Sequence, residues 1–401
     1  MAASNHSNSE LYVGKFTAPK TLTLVSYILI ALGVITFALG LATSPGRMWP
    51  AYLVAFFFFA CIGLGGLFWA ALNNMSKAGW SVSIRRYSEA LTAYLPVMVV
   101  TSLILLLGLK YLYPWADPAK VAESAPLQLK SAYLNTGFLV VRLLVFGLGW
   151  LAFRQIIVGN SLKQDQSGDE KLTIKNVGYS VGFVLFFALS FSLFSVDLLM
   201  SLLPTWYSTI FGVYCFAGLF QAVFAVLIPI VIFMRRAGYA KGFVTDEHLH
   251  DLGKYMMGFT VFWAYIAFSQ FMLIWYANIP EETEFYIMRS LNGWLGISTA
   301  LLIFRFIVPF LALLPKAAKR NENHLLLVSG LILVMQYLDI YWMVYPNFFE
   351  GNVTFGLWEI GMFLGFAGLF LAVVLRFFTK NSVVALRDPR MQEAIHHHVT
   401  Y

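Results

Sequence analysis

The sequence predicts an all-α integral membrane protein of ten transmembrane helices, and three observations carry that expectation. Hydrophobic residues make up 59% of the 401 and charged residues only 12%, about half the charged share of a soluble domain. Aromatic residues reach 17%, and the apolar residues gather in ten continuous runs instead of spreading evenly. Each run has roughly the 20 residues needed to cross about 30 Å of hydrocarbon. None alternates as a lipid-facing strand would, so each satisfies its backbone internally, as a helix.

Taken in order, the runs are 22–43, 50–74, 89–113, 131–156, 176–203, 207–234, 251–278, 285–314, 324–345 and 353–378. The first follows about 20 polar residues and is too long for the core of a signal peptide, so it reads as a retained helix. Pro96, Pro229 and Pro309 fall inside the third, sixth and eighth runs and should kink them. The seventh, counted from Leu249, would reach about 45 Å at 1.5 Å per residue. Its first turns, with His250, Asp251 and Lys254, should therefore project to the membrane surface. The resulting division is a segment 1–21, a ten-helix domain 22–379 and a tail 380–401, with both end segments cytoplasmic.

Orientation follows from charge. Of the 27 Lys and Arg residues, 20 fall on the side of the N-terminus, five on the opposite side, and Arg142 and Arg305 lie within helices. This asymmetry places both termini in the cytoplasm of an inner-membrane protein. The formal charge of +7 therefore signals topology, and no nucleic-acid partner is expected.

Cofactor chemistry is bounded by His and Cys. The two cysteines, Cys61 and Cys215, lie singly in apolar runs, which excludes iron–sulfur ligation and c-type haem within this chain. His6, His248, His250, His324 and His396 to His398 all sit at helix ends or in tails, so no pair is placed to ligate a transmembrane haem. The 396–398 triplet reads as a solvated tail. Tyr337, Tyr341 and Tyr345 beside Trp342 read as an interfacial aromatic belt.

Ionisable groups in the bilayer are costly and mark function or helix-locking ion pairs. Asp197, Asp339 and Glu359 fall in the outer halves of the fifth, ninth and tenth runs, with Arg142 near the middle of the fourth. On the inner side are His248, His250, Asp251 and Lys254, with Glu89, His324 and Arg305 at similar depth. Outer and inner polar regions with an apolar middle have the layout of two proton half-channels. In that layout Arg142 would stand between the outer acids and the inner side and block leakage. A set of buried ion pairs is the other reading.

Several stretches resemble one family. They are SVDLLMSLLPTWYSTIFGVYCFAG at 195–218, HLHDLGK at 248–254, FWAYIAFSQ at 262–270 and WYANIPEE at 275–282. AGWSV at 78–82 with Arg85 and Arg86, and RFIVP at 305–309 with KRN at 319–321, fit the same pattern. Together they resemble the F subunit of alternative complex III, a quinol:electron-acceptor oxidoreductase, within the NrfD/PsrC-like membrane-anchor superfamily.

The resemblance implies two four-helix bundles, from helices two to five and six to nine, with helices one and ten peripheral. It implies an accessory, cofactorless subunit that conducts protons and contacts quinone, either menaquinone or ubiquinone. The implied partners are a larger homologous NrfD-like membrane subunit, a periplasmic iron–sulfur subunit and multihaem cytochrome c subunits. A terminal oxidase and lipids complete the set. Near Pro204, where relatives often carry an acid and a histidine, this chain has Leu203 and Thr205, which argues against an outer quinone site on that loop. Asn73 and Asn74 stand where a more basic or aromatic residue is common. A stand-alone proton-coupled transporter and a purely structural anchor are the alternatives. The single in-helix prolines, without paired Gly/Pro breaks, weigh against the transporter.

Overall fold

A computed structural model describes residues 12–349 and 352–398. Of the two end segments, residues 1–11, with His6, and 399–401 lie outside the described residues. The protein is an all-α integral membrane protein. Among the described residues, ten helices are long and apolar enough to span: Lys20–Thr43, Pro45–Met75, Gly79–Leu112, Thr136–Ser167, Lys171–Leu202, Phe211–Arg236, Asp246–Ala277, Gly293–Leu313, Glu322–Asn347 and Leu357–Lys380. The side on which the described chain begins is called the N side below, and the other the far side.

The second helix is the axis of the molecule, with 94% of its most apolar window buried. Gly65 lets the sixth helix close on it, since a Cβ there would stand 2.2 Å from Val223 Cγ2. Helices two to five form one ring, each packed on the next and the fifth back on the second. Helices six to nine form a second ring in the same order. The rings meet through the second, fifth, sixth and ninth helices.

The first and tenth helices form the most extensive helix pair and lean on the second. Their closest approach is backbone on backbone: a Cβ on Gly33 would lie 2.3 Å from Gly365 Cα. Small residues at such crossings let dispersion contacts hold helices together where lipid offers no hydrophobic driving force.

Three departures from the expected spans matter for chemistry. The third span begins at Gly79 and not at residue 89, so Arg85 and Arg86, expected in a loop, are buried on a helix. The fourth runs to Ser167, which puts Asp165 on its N-side end. The eighth run splits into a short helix Pro280–Met288 and the span from Gly293, with Asn292 at φ 49° between them.

The helical hydrogen-bond pattern changes next to two of the three prolines. A 3₁₀ turn at Thr92–Tyr94 precedes Pro96. A π segment, Leu301–Ile307, precedes Pro309. Pro229 lies within the unbroken helix Phe211–Arg236. The seventh helix has 32 residues, about 48 Å long, and does extend beyond a bilayer core.

On the N side the tail does not trail into solvent. Val383 to Ala385 are buried, the short helix Met391–Ile395 packs on Gly79–Ser81, and Tyr12–Val13 pairs antiparallel with Ala240–Lys241.

Candidate functional site

Among the described residues, most of the ionisable side chains expected at the site fall in five groups, apart from a surface network of Arg235, Arg236, Asp246 and Glu322. The most enclosed is the core of the second ring. Arg305 Nη1 lies 2.7 Å from Asp339 Oδ2, with both side chains at most 2% exposed. Tyr214 donates its hydroxyl to Asp339, and Arg305 also donates to Gln336 and, at 3.1 Å, to Gln221 Oε1. Gln221 donates onward to Thr260 at 2.9 Å. The Trp263 ring centroid lies 4.3 Å from the guanidinium carbon, a cation–π contact that gains strength in a desolvated site.

Local backbone chemistry aims this arginine. Val308 would donate to Phe304 in an α-helix, but here it donates to Ile303. Pro309, with no N–H, cannot serve the Arg305 carbonyl in the α pattern. Gln221 Nε2 stands 3.5 Å from that oxygen. Single π turns recur at functional positions of helices. This one keeps Leu301, Arg305, Pro309 and Leu313, four residues apart, all buried, although an α-helix drifts by 40° over each such step.

The second group lies at the far side of the first ring. Arg142 grips Asp197 through Nε at 2.8 Å and Nη2 at 3.0 Å. The guanidinium also lies 3.9 Å from the Tyr133 ring centroid and donates to the Tyr133 carbonyl. Such two-point pairing fixes both helices as well as neutralising the acid. Because the fourth helix starts at Thr136, Arg142 is near its far end and not its middle. It sits with Asp197, so it does not stand between the outer acids and the N side.

Glu359 forms the third group. Four donors converge on its carboxylate: Arg47 Nε and Nη2, each at 2.9 Å, Tyr345 at 2.6 Å and the Gly356 amide at 2.7 Å. Tyr341 and Tyr345 are fully buried here. They brace this clasp, with Tyr341 donating to Thr354, and are enclosed instead of lying exposed as an interfacial belt.

The fourth group fills the N-side end of the first ring. Arg86 contacts Glu89 at 2.7 Å and Asp165 at 2.6 Å, while Arg85 contacts Glu89 at 3.3 Å and Asp388 at 2.6 Å. Burial alone would raise the Asp388 carboxyl, but Arg85 and Arg390 outweigh it and hold it down at about 2.

The fifth group sits where the seventh helix begins. Asp251 is bound by Lys254 and by His397 of the tail, each at 2.6 Å. His248, fully buried, meets Ser83 Oγ at 2.9 Å and the Trp80 carbonyl at 3.1 Å. A groove of about 560 Å³ opens beside them, lined by Trp80, Asp251, Lys254, Tyr255, His397 and His398, among others.

The structure thus brings together His248, Asp251 and Lys254, with His250 buried on the same helix end. It separates the other residues expected at that depth. Glu89 belongs to the arginine network, and His324 meets the Ala312 carbonyl at 2.8 Å. Arg305, expected with the inner set, pairs instead with Asp339 of the outer set. The reason is that its helix descends from the far side and the π turn faces it inward. Between Thr260 and Asp251, about 14 Å along one helix, stand Leu252 and Met256, both fully buried.

Sequence reasoning passed over Arg47, Tyr214, Gln221, Asp165, Asp388 and His397. Gln221 carried a signal, being a lone amide in a long apolar run. Asp388 and His397 carried none, because a tail's fold-back leaves no periodic trace. No protein-family profile matches the chain, and no curated protein matches it.

Proposed function

We propose that this chain is the cofactorless F-type membrane subunit of an alternative complex III, a quinol:electron-acceptor oxidoreductase of the inner membrane. In this reading it contributes a proton-conducting path. Support for the family comes from the residue pattern, most of all 248–282. Support for the role comes from one observation above the others: a fully buried Arg305–Asp339 pair, held with Tyr214, Gln221 and Gln336, midway through the second ring.

When the Asp339 carboxylate gains a proton, the Arg305 guanidinium is left as the net charge of the site, and Gln221, Gln336 and the Trp263 ring are placed to stabilise it. The N-side group at Asp251 would be its cytoplasmic counterpart, across the apolar stretch at Leu252 and Met256. Glu359, saturated by four donors that join the second, ninth and tenth helices, is better read as a clasp than as a carrier. The larger NrfD-like homologue, the iron–sulfur protein and the multihaem cytochromes are the proposed partners, and menaquinol or ubiquinol is the proposed reductant.

Purification from the native membrane in mild detergent tests the reading. Co-isolation with subunits carrying c-type haem and iron–sulfur clusters supports it. A monodisperse lone chain that carries protons with a solute would overturn it in favour of a secondary transporter.

A further inference from the structure

The C-terminal tail carries three histidines, and the structure uses one of them in a way its sequence does not suggest. His397 Nε2 contacts Asp251 Oδ2 at 2.6 Å. Its ring centroid lies 5.6 Å from that of Trp80 and 5.5 Å from that of the buried His248. The Asp251 side chain is 8% exposed and that of His397 18%, so the imidazole is the more water-accessible of the two, although both line the groove. The groove beside them gives water a place.

The tail is held well upstream of this contact. Asp388 binds Arg85, Arg387 donates to the Gln166 carbonyl at 2.6 Å, and Met391 and Ala394 are buried. The docking therefore does not depend on the histidine. The titratable groups set against His397 are Asp251, which it contacts, and His248, with Lys254 bound to the same carboxylate and Glu247 lying 4.0 Å from the neighbouring His398. Among these, the bonded partner is a carboxylate.

We infer that His397 is the proton-exchanging group at the N-side mouth of the protein, passing protons between the groove and Asp251. Imidazolium at His397 gives its Nε2 proton to the Asp251 carboxylate, leaving neutral imidazole and a carboxylic acid. The ring then regains a proton from groove water, and the reverse sequence returns it. An imidazole suits this exchange because it has two nitrogens and changes charge near neutrality. The inference rests on the proposed proton path, since it assigns that path its cytoplasmic terminus.

The test uses the full chain, purified with whatever subunits it retains and reconstituted in vesicles containing a pH-sensitive dye. Proton uptake from the N side is compared for wild type, His397→Ala, His397→Gln and Asp339→Asn. General acid–base groups contribute roughly 100-fold or more, so His397→Ala is expected to slow uptake at least about tenfold. Added imidazole should restore the rate in His397→Ala. Trypsin should still spare Arg387 and Arg390 in both His397 variants, showing that the tail stays docked. A rate fully restored by His397→Gln, which keeps a hydrogen bond to Asp251 but cannot carry a proton, would make the contact structural and overturn the inference. So would an unchanged rate in His397→Ala while Asp339→Asn is slow. An unchanged rate in Asp339→Asn as well would remove the proton path itself.

Discussion

At the scale of single residues, the arrangement depends on arginines whose partners lie far away in sequence. Asp197 and Asp339 stand out on apolar helices, so their burial was legible. Their pairing was not, because depth estimated from run boundaries is off by a turn or two at each end. Arg142 and Arg305 show this most clearly: the first moved to the far side when its helix began five residues late, and the second met Asp339 through a π turn that no periodicity announces. Asp388 gives a residue-scale prediction. Its carboxyl is held at about 2, below the roughly 3.9 of an unfolded aspartate. Its contribution to tail docking is therefore complete above about pH 4 and is lost as pH falls toward 2. Hydrogen exchange across 383–394, compared with the intrinsic rate at each pH, should stay slow at pH 5 and lose its protection between pH 4 and 2. In Asp388→Asn it should be fast already at pH 7.

At the scale of elements, ten helices follow from apolar length alone, and the close pairing of the first with the tenth follows from glycines. Gly33 and Gly365 face each other so closely that a Cβ on Gly365 would stand 2.6 Å from Gly33 Cα. Gly365→Val should therefore force the pair apart and lower the thermal unfolding midpoint in detergent. Glu359→Gln, which weakens the clasp between Arg47 and the tenth helix, should do likewise but by less than the loss of a fully buried pair, because the Arg47 side chain is 29% exposed. An unchanged midpoint in both would show that this helix pair contributes little. The third span was misread by ten residues because Arg85 and Arg86 look like loop residues. Buried against Glu89, Asp165 and Asp388, they are satisfied on a helix instead.

At the scale of the whole molecule, two four-helix rings and a flanking pair are what the ten-run pattern and the family resemblance lead one to expect. The tail strap and the groove beneath it are not, since they join the chain's last residues to its third and seventh helices. Charge asymmetry predicts that both ends face the cytoplasm. Reporter fusions after Lys241 and after Asn352 should then report opposite sides of the membrane; the same side for both would defeat the ten-span topology. The central claim is that protons pass through the buried carboxylate of the second ring. The measurement that addresses it most directly is proton movement coupled to quinol oxidation in the intact assembly carrying Asp339→Asn. The account predicts an assembled complex with its haems intact and proton movement reduced at least about tenfold, within the range that a positioned proton-transfer group contributes. Turnover and proton movement both equal to wild type, in Asp339→Asn and in Asp197→Asn, would contradict it and leave a scaffold of buried ion pairs.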